Sequence, residues 1–508
     1  MKNFYTRRDF LKLAGLFSMG LVVPNLTKAL NTFSFQAKPK NVVVIIFDAF
    51  SAYDISLYGY NRQTTPNLAR LAERAVVYHN HYAGGNFTTP GTASILTGVL
   101  PWTHRAFNLN GTVDDRYVTR NIFSVFKDYY RLAYSHNSYV NTLLNQFQND
   151  LENLIPKGKL LLKSFDAPVR YLFKNDDDIS AIAWIRDLRV RDYGYSYSLF
   201  LSQIYESLRE MREEKYKPDF PLGLPRDGAS NYFLLETAID SLAGTLSEIP
   251  QPFLGYFHFL PPHAPYRTTS EFYNFFYKDG FTPIEKPQDI FAENNNPKIP
   301  EFRREYDEFI LYCDKEFGRF YDQLEASGLL DDTWIILTSD HGEMNERGIR
   351  GHQSEALYEP VVRIPLMIFE PGRKIGAHIY EQTSAIDILP TLAYVTGQNF
   401  PSWTEGSVLP PFANEQLSPN RNLYVVRATN NKKYEPLTQA SVTLVRDSYK
   451  LHYYFGYPQV PENGLVKLFD IKSDPEEMVD LYPSMKGRAS DMLEEIMVKL
   501  KEVDEPYR

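Results

Sequence analysis

Residues 86–98 read NFTTPGTASILTG, a polar segment containing Pro90 and Gly91 that runs into a short apolar stretch. This pattern predicts a turn that enters a short helix, with the hydroxyl group of Thr88 at the turn. Because a helix N-terminus carries free N–H groups and a partial positive charge, it can hold a bound oxyanion. The Thr88 hydroxyl becomes a nucleophile only if a metal ion or a base lowers its pKa. The rest of the chain therefore has to supply that metal ion or base.

Two apolar runs elsewhere in the chain lead into carboxylates. Residues 41–47 read NVVVIIF and precede Asp48, while residues 333–338 read TWIILT and lead to Asp340 and His341. Such runs predict strands buried on both faces, and ligands of parallel sheets gather at the carboxyl ends of the strands. Carboxylates and imidazoles bind hard or borderline divalent ions, although each residue alone could simply form a turn. Together with a hydroxyl-bearing helix N-terminus, they predict a metal site.

Strands that alternate with helices predict an α/β fold with a mostly parallel central sheet and helices on both faces. Further strands are expected at residues 75–78, 251–259 and 361–369, and helices from residue 66 and at residues 122–130, 195–211, 301–326 and 384–396. After about residue 420, short strands without intervening helices are expected at residues 423–426, 440–446, 449–455 and 466–469, followed by a terminal helix at 484–503. This end of the chain is expected to form a small antiparallel sheet with a terminal helix.

The N-terminal residues carry a targeting signal. Residues 6–12 read TRRDFLK and precede an apolar run from Leu13 to Val23, too short for a membrane-spanning helix, which needs about 20 residues. The motif resembles a twin-arginine export signal, so we expect export by the twin-arginine machinery to the periplasm or another extracytoplasmic compartment. Cleavage near Ala29 or Ala37 and retention as a membrane anchor both stay open. The expected division is a signal and linker (1–37), a catalytic domain (38–419) and a C-terminal α+β subdomain (420–508).

The overall composition limits the classes of function. Apolar residues make up 43% and charged residues 23% of the 508 residues, which is ordinary for a folded globular protein. The formal net charge of −9 argues against a nucleic acid as the main partner. The single cysteine, Cys313, excludes intramolecular disulfides and a cysteine-based zinc cluster. The 36 Tyr and 34 Phe fit either core packing or an aromatic-lined cleft for a sugar or lipid-like substrate.

An ordered set of motifs resembles the sulfatase-like branch of the alkaline phosphatase superfamily over nearly the whole mature chain. The set consists of residues 41–48, 57–60 with 64–68, 88–98, 262–266, 339–343, 351–352 with 357–359, 364–366, and 468–471 with 474–476. The resemblance implies an alkaline-phosphatase-like α/β fold. It also implies one divalent metal ion (zinc, manganese or calcium), bound by Asp48, Thr88, Asp340 and His341.

The resemblance further implies roles for residues around this ion. Thr88 matches the nucleophile, and His263 matches a histidine that contacts the transferred group or protonates the leaving oxygen. His352 matches a position that faces the same pocket, and backbone N–H groups near Gly91 and Thr92 are expected to bind substrate oxygens. For His263 and His352 a structural role, such as capping backbone carbonyls, stays open.

Several positions depart from the sulfatases that use formylglycine. Those enzymes carry C-x-P-x-R or S-x-P-x-R at the nucleophile, whereas residues 88–92 read TTPGT. Oxidation of a threonine would give a ketone and not the formylglycine aldehyde, so the usual sulfatase mechanism is not available to this chain. Ala49 stands where many sulfatases have a second metal-binding Asp. Ser51 and Ser354 stand where an Arg and a Lys are common, so the cationic surround of a sulfate is reduced.

Threonine nucleophiles occur in relatives that transfer phosphoryl groups. Two-zinc members carry an Asp with a His four residues later, whereas here Asp307 is followed at that spacing by Leu311, so one metal ion is expected. The sequence therefore predicts a metal-dependent hydrolase or transferase of a phosphate mono- or diester or related ester, with a small-molecule, glycan or lipid substrate. Two alternatives stay open: a sulfuric ester hydrolase without formylglycine, and a non-catalytic binder of a glycan or lipid head group. Membrane contact is expected only through an uncleaved N-terminal segment.

Overall fold

The computed structural model describes residues 39–163, 211, 214–228, 231–292, 297–413 and 421–508. The predicted signal segment, and all but the last residue of the helix predicted at 195–211, lie outside these ranges. Residues Lys40–Arg508 form one compact unit. Within the described ranges, no helix combines the length and the apolar character that crossing a membrane requires.

The strands are numbered in chain order over the described residues. They are β1 (Asn41–Asp48), β2 (Val76–Tyr82), β3 (Tyr130–Ser135), β4 (Asn153–Leu154), β5 (Leu161–Lys163), β6 (Arg226–Asp227), β7 (Asn231–Phe233), β8 (Phe253–Pro262), β9 (Thr333–Thr338), β10 (Asn345–Glu346), β11 (Ile349–Arg350), β12 (Leu366–Phe369), β13 (Ala377–Ser384), β14 (Leu423–Arg427), β15 (Ala440–Arg446), β16 (Tyr449–Phe455) and β17 (Leu465–Asp470).

The α-helices are numbered in the same way. They are α1 (Pro66–Ala72), α2 (Thr88–Thr97), α3 (Pro101–His104), α4 (Ile122–Val125), α5 (Ser138–Gln146), α6 (Leu235–Glu248), α7 (Ile299–Ala326), α8 (Glu359–Val362), α9 (Ile388–Val395) and α10 (Lys486–Asp504). The predicted turn into a short helix at residues 86–98 is confirmed by α2, which ends at Gly98 in the left-handed region (φ 72°).

Eight strands form the central sheet in the order β13-β2-β12-β9-β1-β8-β3-β4. Neighbouring strands pair in parallel, except that β12 runs antiparallel to both β2 and β9. Ile46 of β1 is level with His258 of β8 and with Thr338 of β9. The carboxyl ends of β1, β8 and β9 therefore meet at one edge of the sheet.

Alternate residues of β1 face opposite sides of the sheet, and each side carries its own core. Val43 and Phe47 pack with residues of α1, α6 and α7 on one side. Val42 and Ile46 pack with residues of α2, α5 and α9 on the other side. Burying one such side chain contributes about 1.5–3 kcal/mol, so β1 is held from both faces. The predicted α/β fold, with a mostly parallel sheet and helices on both faces, is confirmed.

Three local predictions differ from the structure. The strand predicted at residues 361–369 is wrong in its first half, because α8 ends at Val362 and β12 begins at Leu366. Pro365 has no N–H group for the strand ladder, so pairing begins after it. The helix predicted at 122–130 is limited to α4, and β3 follows it. The edge strand β13 reads AHIYEQTS, and it was missed because it has no continuous apolar run.

The last four strands form an antiparallel sheet in chain order, β14 to β17, as predicted. Apolar residues of α10, including Met492 and Ile496, pack against this sheet. The sheet also contacts the segment before α2, because the N–H of Val426 donates to the Gly84 carbonyl (3.0 Å). The C-terminal sheet therefore lies beside the segment that leads into Thr88.

Candidate metal centre and active site

The four residues expected at the metal site lie together at the carboxyl edge of the central sheet. Asp48 ends β1, Asp340 and His341 follow β9, and all three side chains are buried. The Nε2 atom of His341 lies 3.3 Å from Asp48 Oδ1 and 3.7 Å from Asp340 Oδ2. Thr88, the first residue of α2, has its Oγ1 atom 3.5 Å from the same Nε2 atom. Residues from three separate parts of the chain thus converge on one point.

His258 of β8 belongs to the same cluster, although the sequence reasoning missed it. Its Nε2 atom lies 3.4 Å from Asp48 Oδ2 and 3.6 Å from Asp340 Oδ2. Asp48 therefore has one imidazole beside each of its two carboxylate oxygens. A signal was present, because a histidine inside the apolar strand FLGYFHFL must find a polar partner once it is buried.

Asn137 is a second residue that the sequence did not reveal. It follows β3, and its Oδ1 accepts the Tyr139 N–H (2.7 Å), which caps the start of α5. This cap orients the amide, so that Nδ2 donates to Asp48 Oδ2 (2.5 Å) and lies 3.5 Å from Thr88 Oγ1. Asn137 therefore holds a carboxylate of the cluster and the candidate nucleophile in one arrangement.

Three buried atoms of the cluster have no hydrogen-bond partner among the described residues: Asp48 Oδ1, His258 Nε2 and Asp340 Oδ2. Ligand atoms of these three residues all lie within 4.8 Å of one another. A buried polar atom left without a partner costs roughly 1–3 kcal/mol. Because a divalent cation would satisfy all three atoms at once, the donor set fits a bound metal ion.

The pKa values of the cluster also favour a bound metal ion. Burial raises the pKa of Asp340, and the charge of Asp48 raises it further. Burial also acts to raise the pKa of Asp48, but three neighbouring imidazoles, chiefly that of His263, hold it well below its usual range. Burial disfavours a proton on His341, yet Asp340 and Asp48 raise its pKa to about 9. Two adjacent carboxylates thus depend on a nearby positive charge, which a metal ion can supply.

Helix α2 approaches the cluster of candidate ligands closely because Gly91 has no side chain. A Cβ atom at this position would lie 2.2 Å from the Asp340 carbonyl oxygen. The Gly91 N–H donates to the Phe87 carbonyl (3.1 Å), so the expectation that it binds substrate oxygens is wrong. In the first turn of a helix the N–H groups have no intrahelical partner, and Pro90 has none to offer. The N–H groups of Thr88 and Thr89 are therefore the ones available to an oxyanion.

Thr92 lies behind the metal cluster and not at its open side. It is fully buried in α2, and its backbone N–H lies one residue deeper in the helix than that of Gly91. Burial holds the pKa of Tyr256 well above its usual range, and the adjacent Thr92 hydroxyl acts in the opposite direction. The Tyr256 hydroxyl in turn lies 3.2 Å from His258 Nδ1. The described contacts thus place Thr92 next to Tyr256 behind His258, and its expected role in substrate binding stays a prediction.

His263 and His352 stand beside His341. The ring centroids of His341 and His352 are 4.1 Å apart, and those of His263 and His352 are 4.9 Å apart. His263 Nδ1 donates to the Ala264 carbonyl (2.6 Å), which leaves Nε2 for another partner. His352 Nδ1 lies 3.3 Å from Glu343 Oε2, and burial lowers the pKa of His352 to about 4. His263 can therefore cap a backbone carbonyl through Nδ1 and still offer Nε2 to another group.

Asp307, which the resemblance matches to a ligand of the second metal ion in two-zinc relatives, is hydrogen-bonded to neighbouring side chains. Asp307 accepts hydrogen bonds from Arg62 Nη1 (2.8 Å) and from the Tyr60 hydroxyl (2.7 Å). Leu311, four residues later on α7, packs in the apolar core. Asp307 is paired with a guanidinium, but its Oδ1 atom has no hydrogen-bond partner among the described residues, so the single metal ion stays a prediction.

Carboxylates and imidazoles at the ends of parallel strands, with a hydroxyl at a helix N-terminus, define a metal-dependent hydrolase of the alkaline phosphatase type. The chain belongs to the sulfatase family, because the family's profile, described as Sulfatase, matches residues 40–398. A profile described as N-sulphoglucosamine sulphohydrolase, C-terminal, matches residues 351–505. The protein is thus an ester hydrolase of the sulfatase and alkaline phosphatase superfamily.

Individual relatives agree with this assignment. A choline-sulfatase of Rhizobium meliloti (strain 1021) is 26% identical over 457 residues, which cover 83% of this chain and 78% of the relative. The multifunctional alkaline phosphatase superfamily protein PehA of Trinickia caryophylli is 24% identical over 504 residues, covering 87% of this chain and 91% of the relative. The crystal structure of a phosphonate monoester hydrolase of Agrobacterium radiobacter superposes with a TM-score of 0.65 at 18% identity, covering 91% and 95% of the two chains.

Proposed function

We propose that this protein is an exported metal-dependent hydrolase or transferase that cleaves a phosphate mono- or diester, or a related ester, through Thr88 as the nucleophile. The observation that carries the proposal is the position of the Thr88 hydroxyl at the start of α2. Its Oγ1 atom is 3.5 Å from both His341 Nε2 and Asn137 Nδ2, beside the carboxylates of Asp48 and Asp340.

The proposal includes one divalent ion: zinc, manganese or calcium. Asp48, Asp340, His341 and the Thr88 hydroxyl would hold it, and the unpaired buried oxygens of the two carboxylates support this assignment. When bound, such an ion lowers the pKa of a coordinated hydroxyl and polarises an ester oxygen. All other steps fall to side chains and backbone groups of this chain.

In the proposed reaction, Thr88 Oγ1 gives its proton to solvent and attacks phosphorus opposite the leaving oxygen. The N–H groups of Thr88 and Thr89 bind the equatorial oxygens. As the bond to the leaving oxygen breaks, His263 in its imidazolium form gives that oxygen the proton on Nε2 and keeps the Nδ1 proton, which is hydrogen-bonded to the Ala264 carbonyl. Such a step typically contributes about 10²–10⁴ in rate, and Nε2 regains a proton from the water or alcohol that attacks next. The phosphoryl group then passes from Thr88 to water in a hydrolase, or to an acceptor alcohol in a transferase.

The charge of the pocket favours a substrate with a single negative charge. After burial, the described side chains that shift the pKa values of Asp48, Asp340 and His352 most are carboxylates and imidazoles. The hydroxyls of Ser51 and Ser354 accept backbone N–H groups, and so do not replace the missing cations. Phosphate diesters, phosphonate monoesters and sulfate monoesters carry one charge, whereas phosphate monoesters carry about 1.5 to 2 at neutral pH. We therefore expect diesters to be better substrates than phosphate monoesters.

A sulfuric ester hydrolase that uses unmodified Thr88 is the second candidate. The likeness to a choline-sulfatase favours it, and a sulfate monoester also carries a single charge. The substrate could accordingly be a small molecule or an ester of a glycan or lipid. A relative that only binds a glycan or a lipid head group would turn over none of these esters, so the same assay separates all three candidates.

Turnover by a Thr88→Ala variant tests the nucleophile. Aryl phosphate monoesters, diesters, phosphonates and sulfates are assayed on metal-analysed protein supplied in turn with zinc, manganese and calcium. We expect Thr88→Ala to lower kcat on the order of 10⁴-fold or more with the preferred ester, because the variant loses the proposed nucleophile. Thr97→Ala, at the far end of α2, is the matched control and keeps its turnover. Full activity of Thr88→Ala, or an intact mass that reveals a modified Thr88, contradicts the proposal.

Export by the twin-arginine machinery and the division into residues 1–37, 38–419 and 420–508 are part of the proposal. The motif at residues 6–12 supports export, and membrane contact would involve only the N-terminal segment if it stays uncleaved. Replacing Arg7 and Arg8 together by Lys should retain the protein in the cytoplasm in a cell fractionation. Unchanged export of that variant would contradict this part of the proposal.

A further inference from the structure

His258 occupies a position that is costly for a polar side chain. It lies in the middle of β8 between Phe257 and Phe259, and it is fully buried. Its Nε2 atom has no hydrogen-bond partner among the described residues. Leaving such an atom unsatisfied costs roughly 1–3 kcal/mol, so Nε2 is open to a ligand other than the residues that the structure describes.

The distances around His258 suit a shared metal ion. Two ligand atoms that each lie about 2.1 Å from one ion at a tetrahedral angle are about 3.4 Å apart. His258 Nε2 is 3.4 Å from Asp48 Oδ2 and 3.6 Å from Asp340 Oδ2. His341 Nε2 shows the same spacing to these two carboxylates, 3.3 Å and 3.7 Å. The two imidazoles therefore relate to the carboxylates in the same way.

A contact at the back of the ring engages Nδ1 of His258 and leaves Nε2 on the side of the two carboxylates. The Tyr256 hydroxyl lies 3.2 Å from His258 Nδ1. Tyr256 is buried, and the Thr92 hydroxyl next to it can accept its proton. With the Nδ1 proton donated to Tyr256, Nε2 carries the lone pair that a metal ion needs. Metal-bound histidines are generally oriented by such a partner on the other ring nitrogen.

The candidate ligands include nitrogen atoms as well as oxygen atoms, unlike those of a typical calcium site. Calcium takes 6–8 oxygen ligands, and imidazole nitrogens suit zinc and related transition ions. Ala49 (φ 61°), which stands where many sulfatases have a second metal-binding Asp, provides no side-chain oxygen. The candidate ligands are therefore two carboxylates, the Thr88 hydroxyl and two imidazoles. We propose that His258 is a metal ligand held by Tyr256, and that it makes the site selective for a zinc-like transition ion over calcium. This inference rests on the single metal ion of the proposed function.

Metal binding to the full-length protein tests this inference without an activity measurement. Chelator-treated protein is equilibrated with zinc and calcium together, the bound metals are determined by elemental analysis, and zinc affinity is measured by competition with a chromophoric chelator. We expect one zinc per wild-type chain. We expect affinity losses of more than about 100-fold for His258→Ala and about 10-fold for Tyr256→Phe, since outer partners typically contribute 10–100-fold. The visible spectrum of the cobalt-substituted protein should also change in His258→Ala.

Two further variants sharpen the result. His81→Ala removes another buried histidine, bonded to Thr383 on β13, and should leave zinc affinity unchanged. His258→Asp replaces a nitrogen donor by oxygen and should shift the preference towards calcium. Wild-type affinity and an unchanged cobalt spectrum in both His258→Ala and Tyr256→Phe would overturn the inference while leaving Thr88 chemistry intact. A wild-type protein that binds no divalent ion would instead overturn the proposed function. If His258→Ala does not fold, Tyr256→Phe decides alone.

Discussion

Two buried clusters of charged residues in the described part of the chain can be compared, one at the carboxyl edge of the central sheet and one where the C-terminal sheet meets α8. In the second, which we call the C-terminal ion cluster, Lys450 Nζ lies 2.9 Å from Glu359 Oε1 and 3.0 Å from Glu477 Oε1. His452 Nε2 lies 3.1 Å from the same oxygen of Glu477. Each carboxylate of this cluster thus has a cationic partner from the chain itself.

The cluster at the carboxyl edge contains two carboxylates as well, but the basic side chains beside them among the described residues are imidazoles. Their other contacts come from the Asn137 amide, the Ser339 hydroxyl and backbone N–H groups. This difference appears in the pKa values. Burial acts to raise the pKa of Glu477, but the charge of Lys450 and the contact with His452 lower it to about 2. Burial and the charge of Asp48 raise the pKa of Asp340. A cluster that balances its own charge stabilises the fold, whereas an unbalanced one is prepared for a ligand of opposite charge.

The largest effect should come from unbalancing the C-terminal ion cluster. Glu477→Gln removes the carboxylate between Lys450 and His452 and leaves a buried ammonium with one carboxylate partner, Glu359. Breaking a buried ion pair in this way typically costs about 3–5 kcal/mol. Denaturant unfolding followed by circular dichroism measures the loss.

The matched control for that measurement is Glu435→Gln, because Glu435 pairs with Lys432 on the exposed surface. Its effect should stay within about 0.5 kcal/mol. Equal stability of the Glu477→Gln and Glu435→Gln variants would show that the C-terminal ion cluster does not contribute to folding, and the contrast with the carboxyl edge would disappear.

Lowering the pH should reduce the unfolding free energy through the same cluster, by a smaller amount. The folded-state pKa of Glu477 is lowered to about 2 from an ordinary value near 4.5. Its stabilisation is therefore fully present above pH 4.5 and is lost as the pH falls towards 2. The shift corresponds to roughly 3 kcal/mol. The difference in unfolding free energy between wild type and Glu477→Gln should shrink over this range, and a constant difference would contradict the assignment.

How much of the carboxyl edge could be predicted depends on what is local in the sequence. Asp48 and Asp340 each follow an apolar run, so their position at strand ends can be inferred from a few neighbouring residues. His258 and Asn137 reach the same site only through the order and register of β3, β8 and β1. That pairing is non-local, and no pattern around either residue indicates which carboxylate it will meet.

The start of α2 shows how an uncertain helix boundary limits what can be predicted from sequence. The segment was correctly predicted to enter a helix, but the choice of free N–H groups depends on the first helical residue. Because α2 begins at Thr88, Gly91 already bonds to Phe87, and the available donors shift to Thr88 and Thr89. Helix ends are uncertain by one or two residues from sequence, and here such a shift changes the assigned oxyanion donors.

The smallest effect, and the sharpest test of the contrast, is metal binding to the carboxyl edge. A metal ion at 100 times its Kd stabilises the folded protein by about 2.7 kcal/mol, and a chelator should remove this gain. Asp340→Asn should abolish the gain. In metal-free protein it should be as stable as wild type or more stable, because it removes one of two adjacent charges. An asparagine Oδ1 can still accept the His341 N–H, which now donates to Asp340 Oδ1 (3.0 Å).

Thermal unfolding with and without the metal, for wild type, Asp340→Asn and Glu477→Gln, compares the two clusters directly. Glu477→Gln should be destabilised in both conditions and keep its gain from the metal, because its cluster does not depend on an added cation. Asp340→Asn should show the reverse: no loss without metal and no gain with it. If metal-free Asp340→Asn were destabilised as much as Glu477→Gln, Asp340 would be stabilising the fold as Glu477 does. The carboxyl edge would then not be an unbalanced site that requires a cation.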